Sequence, residues 1–245
     1  RDVRLFSDIE TTFGPRPGDI SYILDNLLHE SIWKAHIDSQ KIAVLGHCMG
    51  ASTAFAMAGL NVNMPGAPGQ RFLDARISSV VALGPQIGQN RPFGLHPDSW
   101  STVQTPALVV TGSDDFFWTQ NAQENPAVIR VPYDSLNTPS CYAMLQGAEH
   151  NAFTDSDPYY PAGPRDPRHH DWINGLTLAF LQSTLMDDEN AKSWLLRHQL
   201  AFEHPGAVTQ EYEQFKLDIE STLLSITDST RGVEFQARVT LPQVS

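Results

Sequence analysis

The residues best suited to chemistry lie in Gly46-His47-Cys48-Met49-Gly50. A cysteine between two closely spaced glycines suits a tight turn that lifts one thiol clear of its surroundings. The run before it, Lys41 to Leu45, is short, apolar and rich in branched residues, as a buried strand is. Residues 51–59 after it are small and apolar without proline, which predicts a helix packed close to a sheet. Strand, turn and helix in that order describe a nucleophile elbow, whose tightness demands small flanking residues. The helix N-terminus favours a thiolate at Cys48, and the N–H of Met49 becomes an oxyanion donor.

A nucleophile of this kind needs a base and a group that orients the base, and after an elbow the chain order is acid, then His. Thr111-Gly112-Ser113-Asp114-Asp115 follows the apolar run Ala107 to Val110 and sets two carboxylates just beyond a strand. At least one of the two is expected to cap or solvate a turn. Gly147-Ala148-Glu149-His150 follows the run Cys141 to Leu145, so His150 falls in a loop past the last core strand. A lone Gly-x-Cys-x-Gly is a weak signal; its order and strand context with an acid and a His make it specific. His47 is expected to pack or line the pocket without a catalytic role, and Cys141 to be buried and unreactive. His169-His170-Asp171 reads as a helix start N-capped by Asp171 rather than a metal site. Asp155 and Asp157 read as a loop rather than a calcium site.

These groups need a scaffold, and the chain supplies one. Ile20, Ile23, Leu24, Leu27 and Leu28 repeat at helical spacing after Pro15, Pro17 and Asp19. Ile77 to Leu83 is a further buried strand, and Trp172 to Leu185 a further helix. Strands alternating with helices predict an α/β fold, its mostly parallel sheet covered on both faces. In the last sixty residues, Asp187 to Leu200 and Val208 to Leu224 read as charged amphipathic helices, and Val233 to Val239 alternates like a strand. The expected division is a catalytic portion, residues 1–185, and a helical tail with a possible terminal strand, residues 186–245. The loops Asn61–Gln70 and Gly84–Trp100, with Phe93, Trp100, Phe116, Phe117 and Trp118, either line an apolar acyl or aryl site or fill core space.

Composition excludes some partners. Sixteen basic against 28 acidic residues leave a net charge of −12 over 245 residues, which disfavours nucleic acid and anionic membranes. No stretch approaches the ~20 apolar residues of a spanning helix. Two cysteines make neither a disulfide framework nor a zinc site. Arg1 is not a translation start, so the lack of a basic-then-apolar leader leaves the compartment unassigned.

Over roughly residues 15–185 the chain resembles the dienelactone hydrolase group of α/β-hydrolases, including its relatives with a lipase-like elbow. Aligning Gly112-Ser113-Asp114-Asp115 with that group's Gly-x-x-Asp pattern selects Asp115 as the acid, and Arg71 to Ile77 is also similar. The resemblance implies an α/β-hydrolase fold and a Cys48-His150-Asp115 triad with Met49 N–H in the oxyanion hole. It further implies hydrolysis of a carboxylic ester or lactone through an acyl-cysteine, with no cofactor and no metal. Most relatives carry Ser at the position of Cys48. In that group, strands precede the helix at Ile20, and the loop after one supplies the second oxyanion donor. Here about sixteen residues precede it, too few for those strands and their crossovers. The expectation is a fold lacking its N-terminal strands, either as a piece of a longer protein or as a heterodimer with a second polypeptide that supplies them. Rival readings are an acyltransferase or amidase on the same triad, and a non-catalytic binding subunit.

Overall fold

The computed structural model describes residues 14–29, 32–64, 67–85, 95–115, 126–155, 166–213, 219–228 and 233–242. In chain order the elements are α1 (Pro15–His29), β1 (Ile42–His47), α2 (Met49–Met57), β2 (Val62–Met64), β3 (Ala67–Gln70), β4 (Ile77–Leu83), α3 (Pro97–Trp100) and β5 (Ala107–Asp114). They continue with α4 (Val131–Asp134), β6 (Ser140–Glu149), α5 (Pro167–Leu185), α6 (Glu189–Leu196), α7 (Gln199–Glu203), β7 (Val208–Glu213), β8 (Ile219–Asp228) and β9 (Val233–Pro242).

The main sheet has the order β1-β4-β5-β6-β7. The first four strands pair in parallel, and β7 is antiparallel to β6. Continuous apolar runs are what such strands require, because successive side chains enter cores on opposite faces. In β4, Val80 and Ala82 join one core, while Val81 and Leu83 join the other. Strand β5 divides likewise, Ala107 and Val109 against Leu108 and Val110. All four β5 residues are fully buried, worth roughly 1.5–3 kcal/mol for each valine or leucine. The first core also holds α2, Trp100 and Tyr133; the second is closed by α5, α6 and α7 through Trp172, Leu176, Phe180, Leu195 and Leu200. Trp100 lies in that first core, 1% exposed, so it fills space rather than lining a pocket. Phe93, Phe116, Phe117 and Trp118 lie outside the described residues.

Strand β1 is the exception to full burial. Among the described residues only β4 pairs with it, and Leu45 is half exposed. This free edge is the one at which the sequence leads one to expect further strands.

Polar anchors tie the helices and the far edge to the sheet. Arg76 bonds Asp74 and Asp25 and donates to the Ser21 carbonyl, while Ser21 Oγ donates to Asp74 at 2.7 Å. The network fixes α1 at the entry to β4, and the Arg76 guanidinium holds the Asp74 carboxyl well below the usual carboxylate range. At the far edge, Arg130 grips Glu211 of β7 with two bonds of 2.6 and 2.9 Å and lies over the Tyr142 ring.

Several expectations need correction. The helix expected over Val208 to Leu224 is instead β7 and most of β8. Strand β7 covers the outer edge of β6, and its period is two: Val208 and Gln210 are buried while Thr209 is exposed. The main sheet therefore extends past residue 185. Helices α6 and α7 do occupy the first part of the tail, and β8 and β9 form a separate antiparallel pair. The loop expected over Asn61 to Gln70 contains the short hairpin β2–β3. Helix α5 begins earlier than expected, and its N-cap is Asp166, whose carboxylate accepts from Arg168 N–H, not Asp171. His169 and His170 thereby lie in its first turn.

Candidate active site

The elbow is built by steric necessity on one side only. Cys48 stands between β1 and α2 with φ 58° and ψ −121°, a conformation costly for a non-glycine residue by about 1–3 kcal/mol. Its own backbone bonds hold it there. Cys48 N–H donates to Leu83 O at 3.0 Å, and Cys48 O accepts from Ala51 N–H at 3.0 Å. A Cβ on Gly46 would lie 2.2 Å from both C and O of Gly50, so β1 and α2 meet here without room for any side chain. A Cβ on Gly50 would meet nothing within 4 Å. The expectation that both flanking positions must be small therefore holds for Gly46 and fails for Gly50. Gly46→Ala should destabilise the protein by about 3 kcal/mol, at the upper end of overpacking costs. Gly50→Ala, inside a helix, should be neutral or stabilise by up to about 1 kcal/mol. Urea denaturation of the two variants checks the contrast, which equal losses would refute.

Asp115 and His150 are brought together by a local distortion between β5 and β6. At Gly112 the strands come so close that a Cβ would lie 2.0 Å from Ala148 O, and the register shifts between Gly112 and Asp114. Ser113 then bridges the two strand ends: its Oγ accepts from Gly147 N–H and donates to Asp114 Oδ1, each at 2.8 Å. Asp114 is thus turned outward and exposed, and Asp115 inward. Strand β6 runs to Glu149, and His150 opens a single 3₁₀ turn, His150–Phe153, immediately after it.

Asp115 Oδ1 accepts from His150 Nδ1 at 2.8 Å, with both side chains about nine-tenths buried. The imidazole also interacts with Cys48. Burial opposes its protonation, but the bond to Asp115 and the interaction with Cys48 outweigh it and raise the His150 pKa from 6.5 to about 9. Met49 opens α2, where the first N–H groups have no intrahelical acceptor.

One contributor escapes a reading of the sequence. Gly84 follows β4 with φ 49°; a Cβ there would lie 2.8 Å from Asp115 Oδ2 and 3.3 Å from the Phe153 ring. The only trace of it in the sequence is a glycine at a strand end. His47 packs at the site as expected, its ring centroid 4.5 Å from that of His150 and 5.6 Å from that of Phe153.

The remaining candidates lie elsewhere. Cys141 is fully buried in β6, and burial pushes its thiol up to about 12. His169 is buried with Nε2 at 3.2 Å from Gln146 O, and His170 Nδ1 is 3.5 Å from the exposed Asp155. Asp157 lies outside the described residues. Among the described residues no cluster of three His, Cys, Asp or Glu is set to hold a metal ion, and no helix is long and apolar enough to cross a membrane.

No family model and no curated protein sequence matches the chain. Several solved structures are distantly similar. A Mycobacterium tuberculosis puromycin-hydrolyzing peptidase is 14% identical with a TM-score of 0.48, over 74% of this chain and 26% of that one. Thermogutta terrifontis esterase 2 is 13% identical with a TM-score of 0.46, over 70% of this chain and 63% of that one. A carbohydrate esterase from gut microbiota is 13% identical with a TM-score of 0.41, over 71% and 68%. The chain spans about a quarter of the length of the first of these. The fold is read from the chain itself: four parallel strands, an elbow after β1, an acid after β5 and a His after β6 make it an α/β-hydrolase fold.

Proposed function

We propose that the chain is a hydrolase that cleaves a carboxylic ester or lactone through an acyl-cysteine, without a cofactor, in the manner of the dienelactone hydrolase group. The observation that carries the proposal is the buried His150, bonded to Asp115 at 2.8 Å and interacting with Cys48 at the elbow. A thiolate at Cys48 beside a protonated imidazole is the charge state this arrangement favours near neutral pH.

In the first step the Cys48 thiolate attacks the carbonyl carbon, and the oxyanion is met by Met49 N–H and by a donor outside the described residues. As the tetrahedral species collapses, its C–O bond breaks and His150 gives its proton to the leaving alkoxide oxygen. Acylation removes the negative charge from Cys48, and with it one of the interactions that raise the His150 pKa. The imidazole, now neutral and less basic, accepts a proton from water as the water attacks the acyl-cysteine. Collapse of the second tetrahedral species breaks the C–S bond, releases the carboxylic acid and returns the Cys48 thiolate beside the protonated imidazole. Asp115 holds the ring in one tautomer throughout and stabilises its cationic form.

The test is incubation with p-nitrophenyl esters of varied chain length, beside lactones and amides, followed by intact-protein and peptide mass spectrometry. One acyl group on Cys48, formed with a burst of p-nitrophenol, is the expected result. An adduct on another residue, or turnover with no adduct under rapid quench, would count against it.

A further inference from the structure

We infer that His47 is a positioning residue for His150, and that it acts through its ring rather than through its proton. The inference rests on the proposed roles of Cys48 and His150. The His150 ring is tethered at its Cβ and by the Nδ1 bond to Asp115. Small rotations about the two side-chain torsions that keep Nδ1 near the carboxylate still swing Nε2 relative to the thiol. A contact on the ring face limits them. His47 supplies that contact, with centroids 4.5 Å apart and planes inclined by 41°, within the range of favourable aromatic pairs.

The contact is backed from behind. Phe153 lies 5.6 Å from His47 at 35°, and Phe153 in turn lies against Gly84, beside Asp115. His47, Phe153 and Gly84 thus form a packed line running from the elbow to the acid. His47 Nε2 is buried, so the ring also keeps water from that side of the imidazole. Because His47 is the last residue of β1 and Cys48 follows it, one rigid strand end carries both the thiol and the support for its base. No step of the proposed reaction assigns His47 a proton.

The test compares His47→Ala with His47→Phe, which keeps a ring and removes the titratable group. Two readouts are needed: kcat and KM on a p-nitrophenyl ester, and the pH profile of Cys48 alkylation by iodoacetamide. His47→Ala should lower kcat roughly 10- to 100-fold, the scale of a small misplacement, with KM within about threefold. Its Cys48 alkylation below pH 8 should slow in parallel. His47→Phe should restore kcat to within about threefold of the parent and return the alkylation profile. If His47→Ala does not fold by thermal unfolding, His47→Gln, polar and without a ring, replaces it with the same expectation. An unchanged His47→Ala, or a His47→Phe as impaired as His47→Ala, overturns the inference. His150→Ala separates the two levels: if it leaves the alkylation profile unchanged, the Cys48–His150 pair is itself at fault. If it shifts that profile while His47→Ala does not, only the role of His47 falls.

Discussion

Cys48→Ala is expected to lower kcat by about 10⁴- to 10⁶-fold and to abolish the acyl adduct, while leaving the fold intact. The size follows from chemistry: alanine offers no atom to attack the carbonyl, so only orientation and the oxyanion donor remain. Stability should change little. The backbone bonds of the turn, Cys48 N–H to Leu83 O and Ala51 N–H to Cys48 O, do not involve the side chain. The Cβ of alanine is already present in cysteine, so no new clash arises. Loss of rate with an unchanged urea midpoint is therefore the diagnostic pair. A variant that retained more than a tenth of parental kcat would remove Cys48 from the mechanism. One that unfolded would show that the thiol–imidazole interaction supports the turn instead.

The sequence makes the centre of this molecule legible and its periphery less so, for a physical reason. Strands β4, β5 and β6 are largely apolar because parallel strands face two cores, and few other structures demand that pattern over so short a length; β1 carries a similar run although only one of its faces meets a core. The end of β4 also carries its own punctuation in Gly84. Strand β7 lacks such a signature. It sits at an edge, where Glu211 finds Arg130 and only alternate residues enter a core, so its charges read as a helix surface. The site divides in the same way. Gly46, Cys48 and His150 stand out because their types are rare and their spacing is constrained. The choice of Asp115 over Asp114 is different, since the residues on their own leave both open and only the resemblance selects one. In the structure the two point apart because Gly112 lets β6 approach and Ser113 captures Asp114. Those are long-range contacts between strand ends, and no local pattern encodes them. The packing of His47 on His150 is hidden for the same reason, being a contact across more than a hundred residues of chain.

Asp115→Asn is expected to cost on the order of 10⁴ in kcat and to weaken the protein in a pH-dependent way. The amide can donate to Nδ1 and so favours the tautomer with its proton on the wrong nitrogen, which disables both proton transfers. The effect on stability follows from the raised pKa. His150 moves from 6.5 when unfolded to about 9 when folded, so the folded protein holds its proton more tightly. That contribution is fully present below pH 6.5 and disappears as pH rises through about 9. Asp115 is a main source of the shift, so its loss should be felt most where the imidazole is protonated. Urea denaturation should show the variant destabilised by about 2 kcal/mol at pH 6, the worth of a buried charge-assisted bond, and by clearly less at pH 10. The sign discriminates between explanations. A purely steric role for the carboxylate predicts the same loss at both pH values, and a role in which His150 is neutral throughout predicts no narrowing of the gap. The same window should appear in Cys48 alkylation. In the parent protein a thiolate paired with the imidazolium is expected to react below pH 8, and in the variant, with the imidazolium no longer supported by a carboxylate, that reactivity should retreat toward the ordinary thiol range.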